Sequence, residues 1–127
     1  MPIKYKIIER GQPGVSGGGQ KKYYASANVT GEKTLAGLTR EIEKRSTVSG
    51  ADIRAVLYSL VDVMQDELAD GKTVRLGELG SLRVSISSEG KETPDLVNAS
   101  AIRGAKVIFS PGKDLRNMLK TLQYEKI

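Results

Sequence analysis

The chain contains no cysteine, no histidine and no tryptophan, and Phe109 is its single phenylalanine. Without cysteine there is no disulfide framework and no thiolate metal site. Without histidine, the commonest general base and metal ligand is missing. Catalysis would need a carboxylate pair or an activated serine or lysine, and no such cluster stands out. Glu41/Glu43 and Asp66/Glu67 read as solvated helix faces. No enzyme activity, cofactor, metal or small-molecule substrate is expected. Long apolar runs are also absent: nothing approaches membrane-spanning length, and Met1-Pro2-Ile3-Lys4 lacks the apolar centre of a signal peptide. These absences point to a soluble, cytoplasmic protein with no membrane partner. At 127 residues, with 14 glycines diluting the apolar share, one domain with a small appendage is the natural count. So thin a core favours a dimer that shares it.

What is present is charge, and it is segregated. The formal net charge is +5. Residues 1–30 carry five Lys/Arg against Glu9, a net of +4; residues 31–71 have a net of −3; residues 72–120 return to +4. A basic extension and a basic C-terminal half flanking an acidic middle suit a polyanion held on one side. Ordinary surface lysines are the plain alternative for a charge of this size.

Hydrophobic periodicity divides the chain. Ile3 to Arg10 alternates as a strand, with Ile3, Tyr5 and Ile7 on one face and Lys4 and Lys6 on the other. A glycine-rich loop, Gly11 to Gly19 with Pro13, leads to a returning strand from Lys21 to Val29. That loop is no phosphate-cradling P-loop, since Gln20 stands before Lys21 and no Gly-Lys-Ser/Thr follows. Thr34 is a fair N-cap for a helix bearing Leu35, Leu38 and Ile42 on one stripe. Ser49 to Asp52 opens a second helix, in which Ile53, Val56, Leu57, Leu60, Val61, Met64 and Leu68 form a broad apolar face ended by Asp70-Gly71. Such a face reads as core shared between subunits. Val74 and Leu76, then Leu82, Val84 and Ile86, then Ala105, Val107 and Phe109 alternate as three strands. A last helix, from about Gly112 to Leu122, gathers Leu115, Met118, Leu119 and Leu122. Ser87 to Ala101 has no sustained apolar face, so the strands around it suggest a projecting arm.

Gly71 with Val74 and Leu76, the turn Leu79-Gly80, Leu82, and the run Phe109-Ser110-Pro111-Gly112-Lys113 leading to Leu115 resemble the HU and integration host factor family of bacterial DNA-architectural, histone-like proteins. The resemblance covers roughly Thr34 to Leu122. Residues 1–33 look like the N-terminal β-hairpin extension of a divergent HU-like branch, which makes 34–127 the HU-like DNA-binding domain. The resemblance implies an α+β fold: an intertwined homodimer, or a heterodimer with a paralogue, with helices packed on a sheet and β-arms projecting from it. It also implies non-sequence-specific binding of double-stranded DNA in the nucleoid, DNA condensation, and minor-groove bending by arms whose tip proline wedges between base pairs.

The residues matching that role are Arg75, Arg83, Arg103 and Lys106 along the saddle, Lys113 at the closing helix, and Lys91 and Pro94 in the arm. Lys4, Lys6, Lys21 and Lys22, interleaved with tyrosines, form a second phosphate-facing candidate, although the tyrosines would equally serve to cover a core edge. For each cation the alternative is a solvated surface charge. Pro94 reads equally as a wedge or as a turn residue of Glu92-Thr93-Pro94-Asp95. The arm departs from the family: from Ser85 to Ile102 it carries Lys91 alone against Glu89, Glu92 and Asp95, which opposes entry into a groove lined by phosphates. The competing reading is therefore a protein-interaction or scaffolding module that kept the fold and lost strong DNA binding.

Overall fold

The computed structural model describes residues 2–12 and 14–127; Met1 of the N-terminal start and Pro13 of the glycine-rich loop lie outside them. Strand β1 (Ile3–Arg10) pairs antiparallel with β2 (Lys22–Ala27), in register from Tyr5 opposite Ala27 to Arg10 opposite Lys22. The glycine-rich connection contains a 3₁₀ turn at Ser16–Gly18, tied by the Gln12 N–H donating to the Gly18 carbonyl at 2.6 Å.

Helix α1 (Leu35–Arg45) starts where Thr34 Oγ1 accepts the Gly37 N–H at 3.2 Å. It ends at Ser46, whose hydroxyl bonds back to the Ile42 carbonyl. Helix α2 (Gly50–Ala69) is capped by Ser49, which accepts the Asp52 N–H at 3.3 Å. Its C-terminus closes through Gly71 at φ +84°: the Gly71 N–H bonds to the Leu68 carbonyl and the Lys72 N–H to the Glu67 carbonyl, a Schellman arrangement.

The second sheet is β3 (Val74–Arg75), β4 (Gly80–Ser88) and β5 (Ile102–Pro111), antiparallel in that order. A 3₁₀ turn at Gly77–Leu79 joins the first two. Leu82 stands opposite Phe109, Val84 opposite Val107 and Ile86 opposite Ala105, so the apolar residues of both long strands share one face. Helix α3 (Lys113–Lys120) stops two residues short of the periodicity, because the Thr121 N–H and Oγ1 both turn back onto the Met118 carbonyl. The chain then forms β6 (Tyr124–Lys126), which joins β1 in parallel and completes a sheet of order β2-β1-β6. The seven-residue tail, with its weak alternation, gave no warning of this strand; β1 supplies the partner edge it needs.

Little of the chain is sealed from water. Among the described residues the buried hydrophobic side chains are Ile53, 5 % exposed, and Ala101, 1 % exposed. Thr39 is fully buried, its hydroxyl donating to the Leu35 carbonyl at 2.8 Å. On α2, Val56 is 64 % exposed, and Leu60, Val61 and Val63 are open as well. The apolar sheet face is equally bare at Val84, Ile86, Val107 and Phe109. A stable monomer rarely leaves so many large apolar side chains in water.

The turn from β3 to β4 sits against the start of α3. The Gly112 N–H donates to the Leu79 carbonyl at 2.9 Å, and a Cβ on Gly80 would strike the Ser110 carbonyl. Gly80 also holds φ +142°, a conformation other residues rarely adopt. Gly80→Ala should therefore lose on the order of 2 kcal/mol of stability in denaturant unfolding, the usual cost of such backbone strain. Gly90→Ala, whose Cβ would meet nothing within 4 Å, should change stability little.

Candidate functional site

Pleating of the second sheet separates its side chains by parity. Opposite the apolar face, Arg75 pairs with Ser81, Arg83 with Ile108 and Ser85 with Lys106. Arg75, Arg83 and Lys106 therefore share one face, together with Ser81, Ser85 and Ser110. Near the turn this face deepens into a concavity of about 300 Å³ that brings Arg75 and Arg116 together with Ser81, Ser110 and Gly112. Further along, Ser85, Ser87, Gly104 and Lys106 border a shallow groove of about 360 Å³ that Ile86 and Ala105 also line. Lys113 is exposed at the first turn of α3, whose N-cap, Gly112, has no side chain to satisfy the free N–H groups. Guanidinium, ammonium, hydroxyl and uncapped amide donors gathered this way suit phosphate oxygens.

Arg116 was missed in the sequence. Its position three residues after Lys113 puts both on neighbouring helix positions, a signal that spacing offers. Its meeting with Arg75 depends on the close approach of Gly80 and Gly112, which spacing does not reveal.

Ion pairing sorts the cations. Among the described residues Arg75, Arg83, Lys106, Lys113 and Arg116 form no salt bridge, and the acids of the same segment, Glu78 and Asp114, pair with none of them. The connection between β4 and β5 behaves differently. Lys91 Nζ lies 3.2 Å from Glu89, and Arg103 Nε lies 4.0 Å from the other oxygen of that carboxylate. Arg103 is also the extra residue of a β-bulge, since Ser87 pairs with Gly104 and Ser88 with Ile102, so it leaves the alternation that Arg83 and Lys106 follow. Pro94 opens a 3₁₀ turn, Pro94–Leu96, at a position where its fixed φ is favourable.

In the N-terminal sheet, Lys4, Lys6 and Lys22 share the face that also carries Arg10 and Tyr24. The Arg10 guanidinium lies 5.9 Å from the Tyr24 ring centre. Lys4 is engaged by Glu125 of β6 at 3.2 Å. Lys21 precedes the strand and is exposed. Tyr5 and Tyr23 point to the opposite face, so two of the interleaved tyrosines stand apart from the lysines. No helix of the described residues is long and apolar enough to cross a membrane, and none of them forms a cluster of acids able to hold a metal ion.

Lys72, at the end of α2, is held by Glu67 at 2.9 Å and Asp70 at 3.5 Å. The hydrogen bond that Lys72 donates to Glu67, then that carboxylate's charge, then a hydrogen bond to Asp70 raise its pKa above the ordinary 10.5. A raised lysine value means that the stabilisation is fully present at neutral pH and is lost as pH rises through the folded-state value. An NMR titration of the Lys72 side chain should show a midpoint above 10.5 that falls back in Glu67→Gln.

The chain matches, over residues 1–126, the model of a family described as an HU domain fused to wHTH, Ig, or Glycine-rich motif (HU-HIG). Among solved structures it is similar to one described as "Crystal structure of a Putative bacterial DNA binding protein" from Bacteroides vulgatus ATCC 8482, with a TM-score of 0.70 and 13% identity. The likeness covers 98% of this chain and 48% of that one, so the chain spans about half the length of that structure. No curated protein matches the chain. At such identity the neighbour speaks to the fold alone, whereas the family model takes in the N-terminal strands, the helices and the second sheet together. The chain belongs to the HU-HIG family of HU-like proteins.

Proposed function

We propose that this protein binds double-stranded DNA without sequence specificity, as a nucleoid-associated architectural protein working as an intertwined homodimer. The observation that carries this reading is the set of unpaired cations, Arg75, Arg83, Lys106, Lys113 and Arg116, gathered on one sheet face and the adjoining helix. The family and the DNA binding named in the neighbour's description point the same way. Arginine and lysine on a sheet face position phosphates and carry no base readout, which fits binding without sequence preference. The dimer reading is supported by the bare apolar surfaces of α2 and the second sheet, which one protomer leaves in water. A second copy would bury them at roughly 25 cal/mol per Å².

In this reading the body of the sheet supplies the affinity and the β4–β5 connection adds little. Lys91 is paired with Glu89, whose charge also lies 4.0 Å from Arg103, and Glu92 and Asp95 repel phosphate. We assign Pro94 to shaping the turn, beside the exposed Leu96 and Val97. Lys6 and Lys22 on one face of the N-terminal sheet supply a second set of phosphate contacts.

A fluorescence titration of duplex DNA at several salt concentrations tests the mechanism. Log affinity should fall with log salt by about 0.9 for each phosphate neutralised. Arg83→Ala should reduce that slope by about 1, and a triple Arg75→Glu/Arg83→Glu/Lys106→Glu variant should lose binding. Lys91→Ala should alter neither. Affinity independent of salt would refute phosphate contact, and a wild type that captures protein but not duplex would favour the scaffolding reading. The dimer has a separate readout: the melting temperature should rise with protein concentration in the wild type and not in Val56→Glu.

A further inference from the structure

Strand β2 is the outer strand of the N-terminal sheet. The Asn28 N–H donates to the Lys4 carbonyl at 2.8 Å, and bonded pairs alternate along an antiparallel ladder. Lys22, Tyr24 and Ser26 therefore turn their main-chain groups toward β1, and Tyr23, Ala25 and Ala27 turn theirs outward. Those outward N–H and C=O groups have no further backbone partner among the described residues. Protein edges are usually blunted by proline, charge or a bulge. Tyr23 to Ala27 contains no proline and no charge, and its register against β1 is unbroken.

The segment is also complementary to itself. Consider a second copy related by a two-fold axis through Ala25. Ala25 then meets its own counterpart, and Tyr23 of each copy meets Ala27 of the other. All three pairs fall on outward-bonding positions, so each pair exchanges two hydrogen bonds. On the face lined by Ile3, Tyr5 and Tyr124, the Tyr23 ring, 72 % exposed, lies across from a methyl group that leaves it room. On the other face Lys22 lies across from Asn28 and Tyr24 from Ser26, so no like charges oppose each other. The apolar hollow of about 270 Å³ between Tyr5, Tyr124, Ala25 and Ala27 then runs on into its counterpart.

We infer that β2 is a self-association edge: two copies of this chain join antiparallel along Tyr23–Ala27 and fuse their N-terminal sheets into one of six strands. The contact is smaller than the roughly 1,000 Å² of a stable interface, so it forms at high local concentration. It rests on the geometry of β2 and does not require the DNA reading. If the body dimer also forms, each dimer presents two such edges, and repetition gives a closed ring or an open row of dimers.

The chain has no cysteine, so Ala25→Cys carries a nitroxide label at a unique site. Its spectrum should show dipolar broadening that grows with protein concentration and disappears on dilution into excess unlabelled wild type. Sedimentation of the wild type at high concentration should show species at least twice the mass of that in Ala25→Lys, which sets two lysines face to face. Because Ala25 is exposed, Ala25→Lys should keep the wild-type circular dichroism spectrum. Equal masses for wild type and Ala25→Lys at every concentration, with no broadening at the label, would overturn the inference. Val56→Glu separates the two associations: broadening retained there supports the β2 contact even if the body dimer fails, and broadening lost there would show that the label reported the body dimer instead.

Discussion

The register of β4 against β5 is the constraint from which the surface chemistry of this protein follows. Alternation along the two strands sends Leu82, Val84, Ile86, Val107 and Phe109 to one side and Arg83, Ser85, Lys106 and Ser110 to the other. A slip of one residue would place arginine and lysine on the apolar side and leave phenylalanine among the cations. The register is held at its base by the close meeting of Gly80 and Gly112 and by the Gly112 N–H bonded to Leu79. The same junction starts α3 against the Gly77–Leu79 turn, so that Arg116 and Arg75 line one concavity. The polar face and its neighbouring helix terminus are thus products of one ladder.

Electrostatics then decides which cations remain available. Glu89 lies near both Lys91 and Arg103 at the far end of the ladder, and Glu67 and Asp70 hold Lys72 at the end of α2. Cations nearer the glycine junction have no such partner among the described residues. The unpaired positive charge of the second sheet in consequence lies on its body and not at the β4–β5 connection. This distribution is why the proposed DNA contact is placed on the sheet body.

The N-terminal sheet joins both ends of the described chain, because β6 adds to β1 in parallel and Glu125 meets Lys4. Its two faces differ: one carries Lys6, Arg10 and Lys22 with Ile8 and Tyr24, the other Ile3, Tyr5, Ile7 and Tyr23 with Glu9. Such a sheet has little to bury by itself, and its unblunted outer strand is the feature from which self-association was inferred.

Local order was legible in the residues. Thr34 and Ser49 act as caps, Gly71 closes α2, and the alternating runs around Leu82 and Val107 form strands, because each depends on side chains a few positions apart. The face shared by Arg83 and Lys106 was readable for the same reason, once the two strands were assumed to pair. Tertiary structure alone decided the rest. Strand β6 exists because β1 offers it an edge, and Arg116 joins Arg75 because two glycines let the backbone approach closely. Arg103 leaves the cationic face because a bulge shifts it toward Glu89. Periodicity records which side of its own element a residue takes; which distant residue it then meets depends on how those elements pack.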